Sequence, residues 1–459
     1  MSSSAATAAT DTKSLRARIR AMMPEARREL AELVAFRSVA DPQQYPPQEC
    51  ADAARWLRDA LVAAGLSEAA LHETPDGSTA VIARRAAPAG APTVLLYCHY
   101  DVQPPLDEDA WNTPPFELTE RDGRWYGRGA ADCKGSAIAH LLALRALGDD
   151  PGIGITVVAE GSEEQATGGL ERFVTQHPEE LRADAILVCD TGNVAVGEPT
   201  LTTSLRGAVD AEVTVSTLDG PMHSGMFGGP APDAMTALVR MLATLHDTDG
   251  STTVRGLDST GTWTGADYPA EQFRRDAGVR RGVHLTGSGT VADQLWARPA
   301  LTVVGVDCPP VVGSAAAVQA TVRARLNLRI PPGVDPDTAY TALARHLEEV
   351  APWQVQVSIR RTASGPPFEA DTSGPAYTTM CDAMASAYGR RPVTQGQGGS
   401  IPLCTTLART YPEAEIMLLG VCEPLCRIHA PNESVDPTEI ERTALSEAVF
   451  LRDLPAALR

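Results

Sequence analysis

Short, unbroken apolar runs at Val94–Tyr97, Ile153–Ala159 and Ala185–Cys189, each bounded by Gly, Pro or Asp, predict strands buried on both faces. Between them, Ser136–Leu147 and Leu170–His177 carry helical spacing. The segment from about Ser14 to Leu205 therefore alternates strand and helix, the pattern of an α/β layer structure whose polar motifs fall at the carboxyl ends of strands. From Arg206 the period changes. Val209, Ala211, Val213 and Val215 alternate with Asp210, Glu212 and Thr214, which predicts a strand with one wet face.

A helix from about Pro232 to His246 follows, then an irregular Gly/Thr-rich stretch, Gly256–Gly289, and an apolar strand at Leu301–Val306. Alternation then runs from Val318 to Ile330, leaving Arg323, Arg325, Asn327 and Arg329 on the polar face. A helix at Pro336–Val350 and a strand at Trp353–Ile359 close the unit. That order, β-α-β-β-α-β, predicts a ferredoxin-like domain over 206–366 inserted into an α/β domain. The host domain is discontinuous, with parts 1–205 and 367–459. Its second part carries a helix at Gly374–Tyr388 and a strand at Glu415–Leu419. Residues 1–13, small and polar, read as a disordered lead-in without the basic start and apolar core of a secretory signal.

Composition narrows the function classes. At 459 residues two domains are the natural expectation. A formal charge of −19 and a pI near 4.9 argue against nucleic acid or an anionic membrane surface as partner. No apolar run is long enough to span a bilayer. The nine cysteines form no CxxC pair and are odd in number, which favours reduced thiols and a cytoplasmic location.

The chemistry sits at strand ends. His99 opens a His-x-Asp with Asp101, whose carboxylate is suited to fixing the imidazole of a metal-bound histidine. Asp132 lies in the Gly-flanked turn GRGAADCKG, a helix N-cap or a ligand. Glu163 and Glu164, adjacent after a strand, repel each other unless a cation or proton compensates, which suits one general base and one ligand. Asp190 ends an apolar strand, as a turn former or a ligand. His429 stands in CRIHAPNE. Each alone is weak; two imidazoles and three carboxylates together suffice for two zinc ions sharing one carboxylate.

The ordered motifs HYDVQP, GRGAADCKG, EGSEE, CDTG, MHSGMFGG, GGSIP and HAPNE resemble the dizinc peptidases that include aminoacylases, bacterial carboxypeptidases and carnosinase-type dipeptidases, the last most of all. The resemblance implies a catalytic domain with a mixed sheet flanked by helices and an inserted lid and dimerisation domain. It implies two zinc ions per subunit, with manganese or cobalt as substitutes. Asp132 would bridge, His99 and Asp190 would complete one ion, and Glu164 and His429 the other, leaving Glu163 as general base. It also implies that His223 reaches the partner's site in a homodimer, and that Arg329, with Gly399 and Ser400, holds the substrate carboxylate.

The implied activity is hydrolysis of dipeptides or similar small peptides. An N-acyl-amino-acid deacylase is the alternative, and a non-catalytic binding protein of the same fold a third reading. Cys98, Cys133, Gly396 and Gln397 depart from the family pattern. The last two replace an Arg-Glu pair before GGS and leave substrate identity open.

Overall fold

The computed structural model describes residues 2–148 and 152–458, with side chains from residue 12 onward. The chain divides into two compact units. The first comprises Met1–Thr203, Ala370–Gln395 and Pro402–Arg459; the second comprises Ser204–Glu369 and Gly396–Ile401.

The first unit is built on a mixed sheet. In spatial order its strands are Glu68–Glu73, Thr79–Arg85, Gly154–Glu160, Thr93–His99, Ala185–Val188, Glu415–Leu418 and Thr200–Leu205. Thr93–His99 runs parallel to both neighbours, and Glu415–Leu418 runs parallel to Ala185–Val188. The two outer strands at one edge are antiparallel. Val94, Leu96 and Cys98 of the central strand enter one buried cluster with Ile138, Leu142, Leu445 and Phe450. Those residues come from the helices Lys134–Leu147 and Pro437–Ala457, so segments from both parts of the chain close a single core. A three-stranded sheet of Thr119–Arg121, Arg124–Tyr126 and Ser434–Val435 ties the middle of the chain to its end.

The second unit carries an antiparallel sheet in the order Ala300–Asp307, Thr321–Ile330, Gly207–Ser216 and Gln356–Gly365. The helices Ala234–Ala243 and Pro336–Glu349 cover one face, where Val209, Ala211, Val213, Leu326 and Leu328 are fully buried.

Several elements differ from the sequence reading. The alternation from Val318 to Ile330 is not one strand: Ala317–Val318 pairs with Met222–His223, and the long strand begins at Thr321. The break follows from competing partners, since Gln319 donates its N–H to Asp233 and Ala320 accepts from Thr217. Trp353 begins no strand. It lies in a helical turn, Pro352–Gln354, with φ +55°, and the strand runs Gln356–Gly365. The irregular stretch contains a helix, Ala270–Asp276. The first helix spans Ser2–Ala35, starting ahead of Ser14; the lead-in expected over 1–13 falls mostly on residues whose side chains lie outside the described set. Among the described residues no helix is long and apolar enough to cross a membrane.

Candidate metal centre

Each candidate ligand of the first unit leaves a regular element at its end. His99 is the last residue of Thr93–His99. Asp132 lies in the turn before Lys134–Leu147, joined to Cys133 by a cis peptide. Glu163 and Glu164 form the helical turn after Gly154–Glu160, and Asp190 follows Ala185–Val188. His429 sits in a loop where Arg427, His429 and Asn432 all adopt left-handed backbone, with φ of +55°, +59° and +66°. Such conformations cost energy in non-glycine residues and persist where the surroundings impose them. Here Asn432 is fixed by Asn112 N–H at 2.7 Å and by its own bond to the Ala110 carbonyl at 2.9 Å.

These segments converge. His99 Nε2 lies 3.0 Å from Asp132 Oδ1 and 3.1 Å from Asp190 Oδ1. His429 Nε2 lies 3.1 Å from Asp132 Oδ2 and 3.1 Å from Glu164 Oε2. The two oxygens of Asp132 thus face two different imidazoles, each beside a second carboxylate. Donors about 2 Å from a tetrahedral ion are roughly 3.3 Å apart, close to these separations. The donor set fits two ions with a shared carboxylate.

The electrostatics point the same way. Burial and the neighbouring Asp190 push the Glu163 carboxyl well above its ordinary value, and burial also raises Asp190 and Asp101. Burial would raise Asp132 too, but its bonds to His429 and His99 hold it low. His429 is pushed up to about 10 by Asp132 and Glu164. A buried crowd of acids that draws protons to itself is a site short of positive charge, and divalent cations supply it.

Around the donors lies a layer of positioning contacts. The Asp101 carboxylate accepts the backbone N–H groups of Glu163 and Glu164, at 3.1 and 3.0 Å. Its backbone oxygen lies 3.0 Å from His99 Nδ1, nearer than its carboxylate at 3.5 Å. Asp101 therefore ties the histidine strand to the two glutamates. Three further contributors escaped the sequence reading. Gln103 donates to Glu164 Oε2 at 2.9 Å. Asp76 accepts from Ser162, Thr74 and the Ser78 N–H, bracing the turn that carries the glutamates. Glu433, fully buried, accepts the N–H groups of Gly129, Ala131 and Asp132 and pairs with Arg128 at 2.7 Å. The only sequence signals for Glu433 and Gln103 were their places in HAPNE and HYDVQP; Asp76 gave none.

Two other groups of metal-binding residue types occur among the described residues. Cys133 lies with His99 and Asp190, but its thiol donates to the Cys189 carbonyl at 3.0 Å and burial holds it protonated. His140, Cys189 and Glu447 form a buried network in which Glu447 bonds both others and His140 Nε2 lies 3.2 Å from the Tyr97 carbonyl. Its polar atoms satisfy one another, as in a structural core network.

The remaining sequence candidates lie in the second unit. Arg329 Nη1 donates to Ser400 Oγ at 3.3 Å, and Gly399 is exposed beside it. His223 is exposed, and its Nδ1 accepts the Gly225 N–H at 3.0 Å, capping the short helix Ser224–Phe227.

Comparison with known proteins adds four findings. A model described as peptidase family M20/M25/M40 matches residues 95–452. A cysteinylglycine-S-conjugate dipeptidase of Corynebacterium striatum is 44% identical over 430 residues, covering 92% of this chain and 94% of that protein. The Cys-Gly metallodipeptidase dug1 of Schizosaccharomyces pombe is 29% identical, over 75% of this chain and 76% of its own. Among solved structures, human carnosine dipeptidase 1 superposes with a TM-score of 0.79 at 25% identity, covering 96% of this chain and 98% of that one.

Proposed function

Since the chain belongs to peptidase family M20/M25/M40 and is a metallodipeptidase, we propose that it hydrolyses dipeptides of the cysteinylglycine type with two zinc ions. The observation that carries the reading is Asp132, whose two oxygens each meet a separate imidazole and carboxylate beside the free acid Glu163. The substrate class comes from the relative that is 44% identical over nearly the whole chain.

Asp132, His99 and Asp190 would hold one ion, and Asp132, His429 and Glu164 the other; manganese or cobalt suits the same donors. Bound divalent ions polarise an amide carbonyl and make water acidic enough to attack at neutral pH. Glu163 does the proton work. Its backbone is fixed by Asp101, and its carboxylate takes a proton from the attacking water and returns it to the leaving amine nitrogen. Arg329, Gly399 and Ser400 hold the substrate carboxylate, for which a guanidinium fork is suited. His223, with Nδ1 committed as an acceptor, keeps Nε2–H as a donor for the developing oxyanion of a partner subunit.

The second unit, with its β-α-β-β-α-β order, is read as a ferredoxin-like lid that also joins two subunits. All nine cysteines are free, which supports a reducing, cytoplasmic setting. The test is turnover by the zinc-loaded protein of cysteinylglycine, an S-alkyl cysteinylglycine, β-alanylhistidine and N-acetyl amino acids. The first two should be the best substrates. Turnover confined to the N-acetyl amino acids would replace this reading with a deacylase.

A further inference from the structure

The polar face of the second unit's sheet is neutralised pair by pair. Arg325 donates to Asp210 at 3.0 Å, Asn327 donates to Asp210 at 2.5 Å, Arg360 donates to Glu212 at 3.2 Å, and Arg323 donates to Asp307 at 2.9 Å. The register explains most of the pairing, since Asn327 faces Asp210, Arg360 faces Glu212 and Arg323 faces Asp307, while Arg325 reaches Asp210 diagonally. At the next same-face position the pattern stops: Arg329 faces Ala208, which carries no charge. Two residues before Ala208 stands a second arginine, Arg206.

Arg206 is 8% exposed, and its Nε and Nη1 are buried without a hydrogen-bond partner. Among the described residues neither Arg206 nor Arg329 has a carboxylate partner. Burial, followed by the charge of Arg329, pulls the Arg206 guanidinium down to about 10. A buried guanidinium without a counter-ion is a costly arrangement, and a second cation beside it adds to the cost. The surroundings are nevertheless built closely around it. Arg206 N–H donates to the Gln397 carbonyl at 3.1 Å, and its own carbonyl accepts from Ser400 Oγ at 2.5 Å. The same hydroxyl receives Arg329 at 3.3 Å. Gly398 lies so near that a Cβ there would stand 2.9 Å from Arg206 Nη2. Two guanidiniums, one hydroxyl and a glycine turn thus meet with no acid among them.

We infer that Arg206 is the second guanidinium of an anion notch with Arg329 and Ser400, and that the notch takes a free carboxylate, making the chain selective for dipeptides with an unblocked C-terminus. This rests on the assignment of Arg329 and Ser400 to the substrate carboxylate, and adds a residue that no motif pointed to. The ligand supplies the counter-charge that the fold withholds.

The test uses the full chain and the variants Arg206→Gln and Arg206→Lys. In metal-free protein, glycylglycine should raise the Tm of the native chain, and glycylglycinamide should not. Arg206→Gln should lose the response and Arg206→Lys keep part of it. Without ligand, Arg206→Gln should melt at or above the native temperature, because it removes an unpartnered buried charge. A lower Tm would make Arg206 a structural residue and overturn the inference. So would a native chain indifferent to glycylglycine, or a variant that still responds. With zinc restored, Arg206→Gln should raise KM for the free dipeptide roughly tenfold to a hundredfold, with kcat changed by less than about threefold. It should also erase the preference over the amide; an unchanged preference would count against the notch. Failure of the native enzyme to cleave any dipeptide would sink the dipeptidase reading, while the thermal response still decides on Arg206.

Discussion

At the scale of single residues, the ligand types were legible because the chemistry admits few alternatives. An imidazole or a carboxylate at a strand end is one of a short list of groups that can hold a cation. Glu163 was separable from Glu164 only through the family resemblance, and the structure adds that desolvation and the charge of Asp190 raise its carboxyl well above the ordinary value. Glu163→Gln should retain its metal, measured by elemental analysis, while kcat falls by roughly 10²–10⁴. The residues that hold the ligands were not legible, because their partners are backbone groups or side chains far away in sequence. Asp76 is the clearest case: an ordinary Thr-Pro-Asp-Gly turn residue by sequence, yet bonded to Ser162 at 2.7 Å. Those bonds hold its carboxyl below the usual range even though burial acts the other way. A carboxyl lowered on folding stabilises above its unfolded value of about 4, and that stability is lost as pH falls through the folded value. Asp76→Asn should therefore cost about 1 kcal/mol at pH 7, allowing for its partial exposure, with the difference shrinking below about pH 4 in urea melts.

At the scale of elements, the buried central strands and the helices Lys134–Leu147, Gly169–Gln176, Pro336–Glu349 and Pro375–Tyr388 were readable within a residue or two, because burial leaves unbroken or periodic apolar runs, whereas Pro47–Ala63, Pro402–Thr410 and Pro437–Ala457 were not read. The strands of two or three residues that bring the His429 loop to the Asp132 turn were invisible, being too short to show a period. Trp296 was likewise unreadable as a neighbour of the GGS loop. A Cβ at Gly396 would lie 2.5 Å from its ring, which gives a steric reason for glycine where the family often has arginine. Glu433 is the bond between the two ligand-bearing loops, so Glu433→Gln should loosen both. Leaving the Arg128 charge buried and unpaired should cost roughly 3–5 kcal/mol in denaturant titrations. Zinc affinity should fall about 10- to 100-fold by competition with a chelator.

At the scale of the molecule, the sequence disclosed an interrupted domain with an insertion, because the period changes at Arg206. It did not disclose that Gly396–Ile401 clusters with the inserted unit and not with its flanking segments. If His223 serves a partner's site, His223→Ala and Glu163→Gln should each be nearly inactive as pure proteins. Mixing them under subunit exchange should restore about a quarter of native activity, the share of intact sites in a random mixture. No recovery would point to self-contained sites. Stripping the ions with a chelator should lower the Tm of the whole chain and abolish turnover, with both restored by zinc, since the ions bind only the folded state. The same split architecture governs how the protein can be made. His429 and Glu433 reach the centre only after the inserted unit and nearly everything else has left the ribosome. A nascent chain can expose His99, Asp132, Glu164 and Asp190 long before the cage can close. Completion of the metal centre is thereby postponed to the end of synthesis, and a truncated product lacking the last segment is left with a half-built, acid-lined pocket in place of a working hydrolase.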